Sequence, residues 1–422
     1  MNPTNRKLEV KEKRRVVITG MGVLTPIGIG VKTFWENLIA GKSGIDRITL
    51  FDPDGFDSKI AGQVKGFDPL NYMDKTEARR NDRFSQFVLA AAQEAIQDAE
   101  LNLEKIDKDR AGVIIGSGVG GLQTLIDQHQ LFLNKGPKRV SPFLIPMMIA
   151  NIASGVVSIK YGLKGPNMCV ISACATANHS IGEAYRHIER GEADVMLCGG
   201  AEAPIVPLGV AGFISMKALS TRNDEPQKAS RPFDRDRDGF VISEGAGVIV
   251  LESEEHAISR NARIYAELAG YGANADAYHI AAPEPEGTGA YKCMENAIRD
   301  AGLTVNDVDY INAHGTSTPV GDKAEILAIK RLFGEKAAKL KISSNKSMIG
   351  HLLGAAGGAE TIATVLTIRE GIIPPTINLD NPEFDLDLVP HKSQKADVSV
   401  AINNSFGFGG HNASLVIKKY GA

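Results

Sequence analysis

The chain has 422 residues, of which 43% are hydrophobic and 23% charged, with a formal net charge of −3. This balance excludes a disordered chain, and the mixing of signs along the sequence gives no basis for non-specific nucleic-acid binding. The four cysteines, Cys169, Cys174, Cys198 and Cys293, form no CxxC pair, so free thiols in a reducing compartment are expected rather than a disulfide framework.

In chain order, residues 1–13 are polar and charged and read as a flexible tail, not a signal peptide. Strand-like runs then alternate with helical patterns. RVVITG is followed by a helix over Phe84–Glu100, and AGVIIG by an uncharged stretch from Val140 to Ile159. That stretch is long enough to suggest a membrane span, but Pro142, Pro146, Asn151 and three serines favour a buried helix at a subunit interface. The apolar run MCVIS leads into a helix over Ala175–Arg190. The strands DVMLCGG and GVIVLE, a helix over Ala290–Ala301, and the strands YINAH and NASLVIKK complete the series. Alternation of this kind predicts an α/β fold.

The sequence also repeats. Ala95–Asp107 (AIQDAELNLEKID) aligns without gaps on Ala297–Asp309 (AIRDAGLTVNDVD), with six of 13 positions identical. Two looser correspondences keep the same order: ISACA and its helix with ISSNK and its helix, and TGMG near residue 20 with AGYG near residue 270. They predict a duplicated α/β unit, a tail of 1–13 followed by halves of 14–260 and 261–422. A pseudo-twofold axis then brings equivalent loops together, so that a Cys from one half meets His residues from the other.

Cys174 is expected where a strand turns into a helix, so that its side chain is exposed on a sharp turn. The helix N-terminus offers free N–H groups and positive potential, which lower a thiol pKa. The alternative is a buried structural cysteine, the expectation for Cys169 and Cys198. His314 ends a strand in YINAHGTSTPVGD, and His351 follows another in SSNKSMIGHLLGAAGGAE. Either is compatible with hydrogen-bonded scaffolding; both at matching strand ends point to a site. Zinc is a weak rival, since no HExxH pattern or nearby acidic ligand is present. GSGVGG (Gly116–Gly121) matches GxGxxG formally, but no acidic residue ends a second strand at the distance a dinucleotide needs, and its glycines are read as allowing close backbone approach. SFGFGGHN (Ser405–Asn412) is either a simple turn or a mobile lid that donates a backbone N–H to an oxyanion.

These segments, together with ACATANHSIGEA, GGAEAPI, ALSTRND, ASRPFDRDRDGFVISEGAG and INAHGTSTPVGD, resemble the beta-ketoacyl-acyl-carrier-protein synthases of the thiolase superfamily, in particular the type II elongating enzymes. The match runs from about Arg15 to the C-terminus. The resemblance implies a thiolase-like duplicated αβαβα five-layer fold and a homodimer. It implies Cys174 as nucleophile, His314 and His351 as its paired histidines, and Lys346 and Glu360 as supporting charges. By the same carry-over, Phe408 is the gating aromatic whose N–H joins that of Cys174, and Val119 lines the acyl pocket. Thr316 and Thr318 belong to the substrate-arm loop, and Lys75, Arg79, Arg80 and Lys217 to the docking face for an acidic carrier protein.

The implied activity is fatty-acid elongation by decarboxylative condensation of malonyl-carrier protein with a Cys-bound acyl group. No cofactor, metal or membrane insertion is expected, and the bacterial cytoplasm is the expected location, with the plastid stroma as alternative. A polyketide-type ketosynthase is the nearest rival activity. A non-catalytic chain-length subunit usually lacks the nucleophilic Cys, and a degradative thiolase needs a second catalytic Cys, whereas none follows Cys293.

Overall fold

The computed structural model describes residues 13–421. The expected tail therefore lies outside the described residues except for Lys13, which is tied down by ion pairs to Glu189 (2.9 Å) and Asp300 (3.5 Å). Ten strands form the main framework. The first five are β1 (Val16–Thr25), β2 (Ala111–Gly116), β3 (Asn167–Met168), β4 (Val195–Glu202) and β5 (Gly245–Ser253). The second five are β6 (Ala266–Ala275), β7 (Tyr310–Asn312), β8 (Lys341–Ser343), β9 (Val400–Gly407) and β10 (His411–Lys418).

The first set is ordered β3-β2-β4-β5-β1 and the second β8-β7-β9-β10-β6, the same permutation of chain order. Directions match too. In each set the second strand runs parallel to the third and fourth, and the remaining pairs are antiparallel. The sets join where Val16–Ile18 pairs with Ala266–Leu268.

Equivalent close approaches show the duplication at atomic scale. A Cβ on Gly20 would lie 2.3 Å from Ala95 O, and one on Gly270 would lie 2.4 Å from Ala297 O. One on Gly22 would lie 2.0 Å from Ala91 O, and one on Gly272 would lie 2.2 Å from Cys293 O. Asp98 accepts from Met21 N–H (2.9 Å) and Asp300 from Tyr271 N–H (3.0 Å). The TGMG and AGYG segments are therefore real counterparts: only glycine lets each strand lie this close to its helix.

Helices complete five layers. Helices α1 (Arg83–Asp98) and α2 (Ile152–Tyr161) pack on the outer face of the first sheet through Phe84, Phe87, Val88 and Val157. Two helices lie between the sheets, α3 (Thr176–Glu189) and α6 (Ala356–Glu370). Helices α4 (Thr288–Asp300) and α5 (Pro319–Phe333) cover the second sheet through Met294, Ile298, Ile326 and Ile329. Helix α6 (AGGAETIATVLTIRE) is buried from Ala356 to Ile368. Its small and apolar residues on every side suit a helix that meets a sheet on both faces.

The uncharged stretch from Val140 is not one buried helix. It breaks into a short helix, Leu144–Met148, and α2, and Ile145 and Ile159 are 57% and 79% exposed. Among the described residues no helix is long and apolar enough to cross a membrane.

Candidate active site

Cys174 sits in a one-turn 3-10 segment, Ala173–Ala175, leading directly into α3. The strand expected over MCVIS is short: only Asn167–Met168 pairs, with Val113 and Ile114. The segment leaves the edge of the sheet there, where no further strand holds it. Ala173 adopts φ 50, the left-handed conformation that makes the turn sharp. The second half repeats this device at Leu353 (φ 47), in the turn Leu353–Ala355 before α6.

The thiol departs from expectation. Cys174 is only 7% exposed. Burial pushes its pKa up to about 12, outweighing the Lys346 charge and the backbone N–H groups of Phe408 and Cys174, which favour the thiolate. The resting side chain is therefore a thiol. Those two N–H groups point toward the sulfur.

His314 and His351 lie together with ring centroids 5.4 Å apart and planes at 85°. His314 stands just past the end of β7. His351 is not at a strand end as expected: a short helix, Lys346–Ile349, separates it from β8, and it bridges to Ile242. Both are buried. Burial, then the neighbouring Lys346 charge, holds both imidazoles well below their usual pKa and hence neutral. Both Nδ1 atoms are buried without a hydrogen-bond partner. Phe240 packs edge-on against His351 at 5.2 Å, and Phe406 against His314 at 5.8 Å. Lys346 and Glu360 form a fully buried ion pair. Burial raises the Glu360 pKa against the opposing pull of Lys346.

One cleft of about 510 Å³ is lined by Cys174, His314, His351, Phe408, Val119, Thr316, Thr318 and Lys217. Thr316 and Thr318 share a hydroxyl hydrogen bond of 3.0 Å. Lys75, Arg79 and Arg80 do not line the cleft; they are exposed on and beside a short helix, Lys75–Arg79. Phe406 and Gly407 are part of β9, so the expected Gly/Phe loop is a tight turn over Phe408–Gly410 between β9 and β10. Phe408 is half-buried, with its ring 6.4 Å from Phe213.

Sequence reasoning missed Glu325 and Glu202. Glu325 is buried and accepts from His314 N–H (2.9 Å), Gly315 N–H (2.8 Å) and Asn404 Nδ2 (3.2 Å), fixing the loop that carries the histidine. Its signal was a carboxylate on an otherwise apolar helix face, AEILAI. His279 also lines the cleft. The glycine-rich turn after β2 surrounds the Glu202 carboxylate with N–H groups, so the anion in that nest is the protein's own. Among the described residues no group of three or more His, Cys, Asp or Glu side chains is placed to hold a metal.

A cysteine on a sharp turn facing two neutral histidines, in a duplicated five-layer fold, defines a thiolase-fold enzyme. The family follows from comparison: the beta-ketoacyl synthase N-terminal domain profile matches residues 13–257 and the C-terminal domain profile 265–380, so the chain belongs to the beta-ketoacyl synthase family. A 3-oxoacyl-[acyl-carrier-protein] synthase 2 of Synechocystis sp. is 52% identical over 411 residues, covering 97% of this chain and 99% of its own. One of Staphylococcus aureus is 53% identical over 415 residues, covering 98% and 100%. Among solved structures, a ketosynthase complex with its type II PKS acyl-carrier protein superposes with a TM-score of 0.90 at 37% identity, covering 97% of this chain and 100% of the other. A beta-ketoacyl synthase from Burkholderia phymatum gives 0.90 at 36% identity, covering 96% and 99%.

Proposed function

We propose that the protein elongates fatty acyl chains by decarboxylative condensation on acyl-carrier protein, with Cys174, His314 and His351 as its catalytic residues. The observation that carries the assignment of roles is their convergence on one cleft beside two N–H groups that face the Cys174 sulfur. The acyl group first moves from the carrier thioester to Cys174. The thiol loses its proton to a neutral imidazole of the cleft, the new C–S bond forms, and the carrier thiolate leaves with a proton. Malonyl-carrier protein then loses CO2. The enolate oxygen accepts hydrogen bonds from His314 and His351, and its carbon attacks the acyl carbonyl. The Cys174 C–S bond breaks, giving a 3-oxoacyl product two carbons longer and a Cys174 thiolate, which takes a proton from solvent to regenerate the thiol. Loss of CO2 drives the condensation, so the step calls for no cofactor.

Neutral histidines suit this role, since they donate without adding a buried charge. Lys346 and Glu360 set the electrostatics around them, and Val119 forms the acyl-pocket wall. The full-length relatives at 52% and 53% identity are named 3-oxoacyl-[acyl-carrier-protein] synthase 2, which favours elongation over polyketide synthesis.

The same reading divides the chain into halves of 14–260 and 261–422 and places it in the bacterial cytoplasm. It makes the working unit a homodimer. The two-residue edge strand β3 leaves backbone groups unpaired, and Met168 within it and Ile171 just beyond it are 41% and 54% exposed. It also assigns carrier-protein docking to Lys217 at the cleft and to Lys75, Arg79 and Arg80. Arg80 stacks on Phe143 at 4.9 Å, next to the segment bearing the exposed Lys138 and Arg139.

The test compares Cys174→Ala, His314→Ala and His351→Ala in acyl transfer and in condensation separately. Cys174→Ala removes acyl transfer altogether. The histidine variants retain some acyl transfer but lose condensation on the order of 100-fold or more. Equal loss of acyl transfer in all three contradicts the division of roles.

A further inference from the structure

The duplicated fold builds two sharp turns of the same shape, but only one carries a cysteine. In the first half the turn Ala173–Ala175 precedes α3, and in the second Leu353–Ala355 precedes α6. Ala173 (φ 50) corresponds to Leu353 (φ 47), so Gly354 stands where Cys174 stands. The strand ends facing these turns differ in one decisive respect. Strands β4 and β9 are both eight residues long, and they end at Glu202 and Gly407. A Cβ on Gly407 would lie 3.1 Å from Cys174 N, so glycine there leaves the Cys174 N–H open toward the cleft. At the other turn the Glu202 carboxylate accepts from Gly354 N–H at 2.9 Å and closes it.

Glu202 does more than close that turn. It is fully buried and accepts from Ser117 Oγ (2.7 Å), Gly118 N–H (2.7 Å) and Val119 N–H (3.1 Å). Ser117 Oγ in turn accepts from Gly120 N–H at 3.0 Å. Four donors on one buried carboxylate fix the whole Ser117–Gly120 turn, and with it the cleft-lining backbone of Gly118 and Val119. No side chain could replace Gly354 without disturbing this: its Cβ would lie 2.6 Å from both Glu202 Oε2 and Gly118 N.

We propose that Glu202 is a positioning residue that sets acyl-chain discrimination, by clamping the Val119 wall of the acyl pocket to the closed counterpart of the catalytic turn. The inference rests on the proposed acyl transfer to Cys174. Glu202 does not itself line the cleft, and it acts only through Ser117, Gly118, Val119 and Gly354. Glu202→Gln keeps the size but replaces one acceptor oxygen with a donor that faces backbone N–H groups, so the clamp loosens without a change of volume. Ser117→Ala removes a single arm.

The experiment measures single-turnover acylation of Cys174 by C6 to C16 acyl-carrier proteins in the wild type, Glu202→Gln and Ser117→Ala, with thermal unfolding alongside. A loosened wall flattens the chain-length profile. The ratio of fastest to slowest chain length falls about tenfold in Glu202→Gln and about threefold in Ser117→Ala. An unchanged ratio in folded Glu202→Gln, or equal slowing at every length, overturns the proposal. If Glu202→Gln does not fold, Ser117→Ala decides by the same criterion. A wild type that is acylated at no chain length contradicts the proposed function instead, so the two failures are told apart.

Discussion

At Cys174 two physical effects oppose each other, and burial is the larger. The N-terminus of α3, the N–H groups and Lys346 all favour a thiolate, yet removing the sulfur from water raises its pKa to about 12. Reactivity toward a small alkylating agent should follow the thiolate fraction. Alkylation of Cys174 by iodoacetamide therefore climbs about tenfold per pH unit from pH 7 through pH 10, with no plateau near the usual value of about 8.5. A plateau at pH 8 to 9 contradicts the burial argument. Cys174, His314 and His351 were legible in the sequence because each follows an apolar run and precedes small residues. Glu202 was not, and Glu325 only as a carboxylate on an apolar helix face, because most of their partners are backbone N–H groups distant in sequence, which no side-chain pattern records.

Individual elements follow the sequence where their burial is even. AGVIIG is β2 as read, and all six of its residues are buried. The MCVIS reading failed because apolar character was taken for a paired strand, whereas the segment leaves the sheet edge after Met168. SFGFGG read as a loop because of its glycines, yet Gly407 lies in β9, where the strand passes tightly over the catalytic turn. That close approach makes Gly407 testable. An added Cβ would sit 2.7 Å from Ser172 O and 3.1 Å from Cys174 N, so Gly407→Ala must displace the turn that carries Cys174. Acylation of Cys174 should fall on the order of 100-fold in a protein that still folds. Undiminished acylation would show that the turn and the strand end are not coupled.

Across the molecule the duplication was visible in sequence because Ala95–Asp107 and Ala297–Asp309 repeat without gaps, and the glycine contacts of the two strand–helix pairs give that repeat its physical basis. The layering was not, since which helix lies between the sheets depends on packing partners that a linear pattern does not name. The exposure of Ile145, Ile159 and Ile171 is also a property of the whole molecule. In the homodimer reading these residues lie under the second copy. Ile159→Asp combined with Ile171→Asp should then sediment as a monomer at concentrations where the wild type is a dimer. A double variant that remains a dimer places the interface elsewhere.

In the proposed reaction one cleft carries an acyl group on Cys174 and extends it. Intact-mass spectrometry of the protein with C6 to C16 acyl-carrier proteins, followed by malonyl-carrier protein, tests this most directly. The expected result is an acyl adduct on Cys174 that malonyl-carrier protein discharges as a 3-oxoacyl product two carbons longer. An adduct formed from acyl-CoA but from no carrier-linked acyl group, or no adduct from either donor, contradicts it.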